Sequence, residues 1–236
     1  MLIKPDNEML SYSGRIDFDD RLAPVLVYAC SSIGMKFTGT SLKAVIVNHR
    51  SCWTNELGYF IDGEQKRFTL SSDEEKKTYT LAEGLSEGTH ELLLFKRMDS
   101  CHTFTFYGFE IDDGAKVLPL PEKPKRKMEF FGDSVSCGEV SEAVAYVGNG
   151  EYSNSWYSYA WMTARKLNAQ IHDTSQGGIS LLDDTGWFAA PHYKGVESCY
   201  DKIEYHPDLG PTKPWDFSRY IPHVVVVAIG QNDNHP

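Results

Sequence analysis

A run of prolines divides this chain into two stretches with different hydrophobic periods, and that division limits the fold more than any other feature. In "VLPLPEKPKRKM", Pro119, Pro121 and Pro124 each fix φ and lack a backbone donor. The run is therefore extended, cannot enter a central strand, and reads as a solvated linker carrying a basic cluster. Before it, apolar residues alternate. "SIGMKFTG" sets Ile33, Met35 and Phe37 against small or polar neighbours, and "LKAVIVN" puts Leu42, Ala44 and Ile46 on one face. "YFIDGEQ" holds Asp62-Gly63, a pair suited to a tight hairpin because both positions tolerate positive φ. "GTHELLLFKR" and "HTFTFYGFEI" supply two more strands. Strands separated by turns roughly every ten residues predict a sandwich or jelly roll.

After the prolines the period changes. "MEFF" reads as a short strand starting at Met128. "NSWYSYAWMTARKLN" places Trp156, Tyr159, Ala160, Thr163, Ala164 and Leu167 at helical spacing, with Asn154 as N-cap. "AQIHD" is a second short strand, and "HVVVVAIG" has the unbroken apolar run of a strand covered on both faces of a parallel sheet. Strand–helix–strand order predicts a doubly wound α/β unit. The expected layout is a β-sandwich over 1–121, a linker over 122–127 and a mostly parallel α/β unit over 128–236.

Ligands of such sheets sit beyond the carboxyl ends of the strands. Three small-and-polar segments fall there: "GDSVSCG" after the first strand, "SQGGIS" after the second and "GQNDN" after the third. Ser134 at that rim suits a nucleophile, which needs a general base and donors aimed at the oxyanion it creates. Its own N–H, the Gly178 N–H and the Asn232 amide are the candidate donors. Gly177 replaces Gly178 if the glycine block registers one residue earlier. Asp133 is expected to hold the turn rather than to act as a catalytic acid.

The net charge of −10 argues against nucleic acid and anionic lipid as partners, and leaves neutral ligands such as sugars open. No stretch reaches the ~18 apolar residues of a membrane span. Pro5, Asp6 and Glu8 stand where a signal peptide would be apolar. The expectation is a cytoplasmic protein, or a secreted one whose leader was removed. Cys30, Cys52, Cys101, Cys137 and Cys199 are scattered and odd in number, which argues against a disulfide scaffold or a zinc site.

"GDSVSCG", "SQGGIS" and "GQND" resemble, in order, the first three blocks of the SGNH (GDSL-type) hydrolases. "KFTGTSLKAVIVN…GYFIDGE", "SEGTHELLLFKR" and "FYGFEID" resemble the N-terminal jelly roll of carbohydrate esterase family 2. The resemblance implies a jelly roll followed by a three-layer SGNH unit. It also implies a serine esterase that removes O-acetyl groups from plant polysaccharide through an acyl-enzyme. It implies no cofactor and no metal, with an acetylated carbohydrate as partner. Ser134 then becomes the nucleophile, and Ser134 N–H, Gly178 and Asn232 the oxyanion hole.

The family's late Asp-x-x-His block is absent from this sequence. His172, His192, His206, His223 and His235 follow Ser134 outside that pattern, and His235 is expected to shape the loop after the Asn block. The expectation is that the gene continues beyond Pro236 and supplies the base there. Trp187 and Trp215, in a long Pro-rich stretch, are candidate sugar-binding residues, with packing as the competing role. Trp156 and Trp161 are expected to pack, and Asp183 and Asp184 to cap turns. A catalytically inert carbohydrate-binding protein is the alternative function, and the sequence leaves room for a homo-oligomer. A metallophosphoesterase is disfavoured, because "GDSVSCG" lacks the second acid and "GQNDN" lacks the Asn-then-His order.

Overall fold

The computed structural model describes residues 1–145 and 150–235; residues 146–149 and Pro236 of the expected second region lie outside them. The first half contains β1 (Leu2–Ile3), β2 (Ser11–Ser13), β3 (Ile16–Asp17), β4 (Val25–Leu26), β5 (Ser32–Thr38) and β6 (Leu42–Arg50). It continues with β7 (Glu56–Ile61), β8 (Glu64–Thr69), β9 (Lys77–Ala82), β10 (Thr89–Lys96), β11 (His102–Ile111) and β12 (Val117–Leu118). One antiparallel sheet runs β3-β4-β11-β6-β9, with β1 on β11. The other runs β12-β5-β10-β7-β8, with β2 on β5. This is the sandwich that the alternating pattern predicts. Ile33, Met35, Phe37, Leu42, Ala44 and Ile46 are all fully buried between the sheets. At the β7–β8 turn, Asp62 and Gly63 both take positive φ, 52° and 85°.

The second half contains β13 (Arg126–Gly132), β14 (Ala169–Asp173), the antiparallel pair β15 (Lys202–Glu204) and β16 (Lys213–Pro214), and β17 (Val224–Ala228). β13 lies between β14 and β17 and is parallel to both. The chain leaves β13 for one neighbour and later returns to the other side, so the sheet switches direction at the carboxyl end of β13. The helices are α1 (Ser134–Cys137), α2 (Tyr159–Lys166) and α3 (Val196–Cys199).

The expected helix from Asn154 is broken in two. Asn154 caps only a 3-10 turn, Ser155–Tyr157. Ser158 is extended (φ −62°, ψ 147°), and its hydroxyl accepts from Trp161 N–H to start α2 afresh.

A sandwich and an α/β unit joined by a linker would have separate cores, and that holds only for the largest cluster, whose buried members run from Ile3 to Ile111. A second cluster joins Cys30 and Phe95 to Met128, Phe130, Trp161 and Ile171. A third joins Val27 and Tyr28 to Ile179, Phe188 and Tyr205. The buried Arg15 crosses the same seam, its Nε donating to Glu129 at 3.0 Å and one terminal nitrogen to the Tyr200 and Lys202 carbonyls. Burying each face against the other removes apolar surface from water that neither half could cover alone. β17 differs from its expectation too: Val224, Val225 and Val227 are about half exposed, because the described residues cover neither of its faces fully.

Candidate active site

Ser134 stands where the central strand ends. Asp133 Oδ1 accepts the Val135 N–H at 3.0 Å and caps the short helix that Ser134 begins, so this acid holds the turn. The hydroxyl opens into a cleft of about 430 Å³. Gly177, Gly178, Gln176 and Trp187 form part of its wall, from the segments after β14. Gly178 has φ +76°, the left-handed region, and a Cβ there would lie 3.0 Å from that of Trp187. Among the described residues, the Gly178 N–H has no acceptor in the protein.

The opposite wall comes from the jelly roll. Cys52 and Trp53 line the cleft from the β6–β7 connection, and Met98, Asp99 and Cys101 from the β10–β11 connection. Residues 97–100 are buried, which is unusual for a strand connection. Lys96 explains how it is held. Its ammonium is fully buried under the turn and donates to the Asp99 and His102 carbonyls. Burial pulls its pKa down to about 7. Arg97 adds a bond to the Ser153 carbonyl at 2.9 Å and pairs with Glu142. Asp99 then reaches into the cleft, where Oδ2 accepts the Gly177 N–H at 2.7 Å and the Gln176 amide at 2.8 Å.

Glu139 shares that corner. A Cβ on Gly177 would lie 2.8 Å from both Asp99 Oδ2 and Glu139 Oε2, so a methyl there would displace one or both carboxyl groups. Burial, then the negative charges of Asp99 and Asp133, push Glu139 up to about 7.

Of the candidate residues, Ser134, Gly178 and Trp187 therefore line one cleft. Trp187 is 60% exposed, backed by the His235 ring at a centroid distance of 3.3 Å. Gly177, the fallback donor, spends its N–H on Asp99. Asn232 is not among the cleft-lining residues, and its amide donates to the Ile179 carbonyl at 2.9 Å. Trp215 is a correction: it is buried beside Ile203 and Tyr220, with Arg15 and Arg219 over its ring, and packs rather than facing the cleft. Asp183 does bind a turn, accepting the Gly195 N–H at 2.8 Å and the Ser198 hydroxyl at 2.6 Å.

No histidine lines the cleft among the described residues. His172 stacks on Tyr220 at 3.5 Å, and burial, then the Arg15 charge, hold it well below the usual imidazole range. His206 contacts Ser51, His223 accepts the Lys127 N–H, and His235 binds the Gly186 carbonyl and shapes that loop, as expected. All five cysteines are free; Cys30, Cys137 and Cys199 are buried. Sequence reasoning missed Cys52, Trp53, Met98, Asp99, Cys101, Glu139 and Gln176. For Met98, Asp99 and Cys101 the one trace in the sequence is that "RMDSC" is longer than a tight turn, which does not say what the segment touches.

Comparison with known proteins follows the same two halves. Residues 12–121 match the family model for the carbohydrate esterase 2 N-terminal domain. The chain is 33% identical over 231 residues to "Cellulase/esterase CelE" of Acetivibrio thermocellus, covering 97% of this chain and 27% of that protein. It is 27% identical over 214 residues to an "Acetylxylan esterase / glucomannan deacetylase" of Cellvibrio japonicus, covering 87% of this chain and 58% of the relative. A family two carbohydrate esterase from Clostridium thermocellum, solved in complex with cellohexaose, superposes with a TM-score of 0.82 at 31% identity. That match covers 95% of this chain and 66% of the other. The curated relatives are thus considerably longer than these 236 residues. The similarity spans both halves: residues 12–121 carry the carbohydrate esterase 2 N-terminal domain, and nearly the whole chain is similar to family 2 carbohydrate esterases.

Proposed function

We propose that the whole protein is a serine esterase that removes O-acetyl groups from plant polysaccharide or oligosaccharide through an acyl-enzyme. The observation that carries this reading is Ser134 at the switch point of the parallel sheet, open to a cleft shared with Gly178 and Trp187. The relatives, named as esterases and acetylxylan esterases, support it. In this reading the Ser134 hydroxyl attacks the acetyl carbonyl as a base takes its proton. The Ser134 and Gly178 N–H groups stabilise the oxyanion. The sugar oxygen leaves with the proton, and water then releases acetate. Trp187 offers an exposed ring for a sugar face.

This reading calls for a base to take the Ser134 proton, and no described histidine lines the cleft. The competing reading, a carbohydrate-binding protein without turnover, rests on that observation. Ser134→Ala in the natural full-length protein is expected to lower aryl acetate hydrolysis by several orders of magnitude with the fold retained. Undiminished hydrolysis in that variant, or its loss on chelation in the wild type, rejects the esterase reading. Glycan binding without turnover by the full-length wild type selects the alternative.

A further inference from the structure

The peptide unit that carries the Gly178 N–H lies between two pinned neighbours. On one side, the Gly177 N–H donates to Asp99 Oδ2 at 2.7 Å. On the other, the Gly178 carbonyl accepts the Trp187 and Phe188 N–H groups at 2.8 and 3.2 Å. Asp99 is itself immobilised. Oδ1 accepts the Cys101 N–H at 2.9 Å, and Oδ2 also accepts the Gln176 amide at 2.8 Å. The Gln176 carbonyl oxygen accepts from Ser100 and Tyr205, both at 2.7 Å. The peptide's own carbonyl, on Gly177, accepts the Gln176 amide at 3.0 Å. Two consecutive glycines have no Cβ to restrict their dihedrals, so the direction of the N–H between them is set by these holds. The Asp99 hold comes from the other half of the molecule, and Asp99 also fixes the Gln176 amide that makes the third.

We propose that Asp99 is a positioning residue, through which the jelly roll aims the Gly178 N–H at the oxyanion formed on Ser134. This rests on the esterase reading. An oxyanion donor acts only when aimed at the position that the charged oxygen occupies in the transition state, and losing one donor outright costs about 10²–10³ in kcat. Releasing its orientation costs part of that. An interaction realised only in the transition state lowers kcat and leaves KM in place.

The test is Asp99→Asn in the full-length protein. This near-isosteric change leaves one oxygen to serve three N–H donors. The expected result is a fall in kcat of about tenfold or more, with KM within about twofold. Inhibition by phenylboronic acid, whose tetrahedral adduct on Ser134 places an oxygen in the same hole, is expected to weaken by a similar factor. A merely structural bridge between the halves would lower the melting temperature and leave kcat and boronate affinity in place. A folded Asp99→Asn enzyme with kcat within about twofold of wild type overturns the proposal, as does a rise in KM alone. If that variant does not fold, Gln176→Met removes one brace of Asp99 together with the bond to the Gly177 carbonyl, and leaves the Gly177 N–H on Asp99. A smaller loss in kcat at constant KM is then expected, and unchanged kcat overturns the proposal. Full activity of Ser134→Ala would instead remove the esterase reading itself, and this inference with it.

Discussion

Two aspartates at the ends of jelly-roll strands do different things with the same chemistry. Asp62 sits in the two-residue β7–β8 turn, its side chain half exposed. Its carboxylate binds the Glu91 N–H at 2.9 Å and the His90 ring at 2.6 Å, both within the sandwich. Asp99 sits in the β10–β11 connection, 5% exposed, and two of its three side-chain hydrogen bonds cross to the other half. The first turn follows the local dihedral code and only reverses the chain. The second breaks the rule that connections lie on the surface, and it needs buried partners to do so. Where a loop is buried with its polar groups satisfied by a neighbouring domain, it belongs to the site of that domain.

The largest expected effect breaks the buried member of the pair. Lys96→Met takes the ammonium from beneath the β10–β11 connection and leaves the Asp99 and His102 carbonyls without that donor. Buried acceptors without partners predict a loss of about 2–4 kcal/mol, measured by denaturant unfolding at neutral pH. The deficit has a pH sense. Lys96 titrates near 7 when folded and near 10.5 when unfolded. Between those values the unfolded chain binds more protons, so the wild type gains stability as pH rises while the variant does not. A deficit that shrinks from pH 7 to pH 9 would contradict this account.

The contrast also explains what was legible. Alternation gave away β5, β6, β10 and β11, and Asp62-Gly63 gave away its turn, because period and dihedral preference act within a few residues. The rim carrying Ser134 and Gly178 was legible because strand order alone puts the carboxyl ends of parallel strands together. Asp99 was not legible. Its role depends on a partner 78 positions away, Gly177, and no local signal reports such a contact. Trp215 failed for the same reason: exposure of a tryptophan in a long loop depends on what packs over it, here Arg15, Arg219 and Tyr220.

Two glycines sharpen the comparison at intermediate size. Gly63→Ala places a methyl in open space, but at φ +85°. The expected cost is the left-handed strain of about 1–2 kcal/mol, with esterase activity of the full-length protein unchanged. At Gly177 the backbone is not left-handed, but the methyl would meet two carboxyl oxygens at 2.8 Å. Gly177→Ala is therefore expected to lower activity by about tenfold or more through displacement of Asp99 and Glu139. Equal effects of the two substitutions on activity would erase the distinction between a turn that only turns and one that builds the cleft.

The smallest expected effect concerns the sign of charge at each place. Burial raises Asp62, but bonds from His90 and the Glu91 N–H outweigh it, and its carboxyl ends below the usual range. Its contribution to stability is present above pH 3.8 and is lost as pH falls through the folded value. Glu139, in the cleft beside Asp99, behaves in the opposite way. It titrates near 7 folded against 4.5 unfolded, so between those values the folded state holds the extra proton. Raising pH from 4.5 to 7 therefore destabilises the protein through Glu139, and the penalty is constant above that. Glu139→Gln is expected to raise the melting temperature at pH 8 by on the order of 1–3 °C and to leave it unchanged at pH 4. Asp62→Asn is expected to lower it at pH 8 and to converge with wild type in acid. Thermal scans of both variants across that range read the two signs directly, and a Glu139→Gln protein that melts below wild type at pH 8 would mean that the cleft stabilises its ionised carboxylate after all.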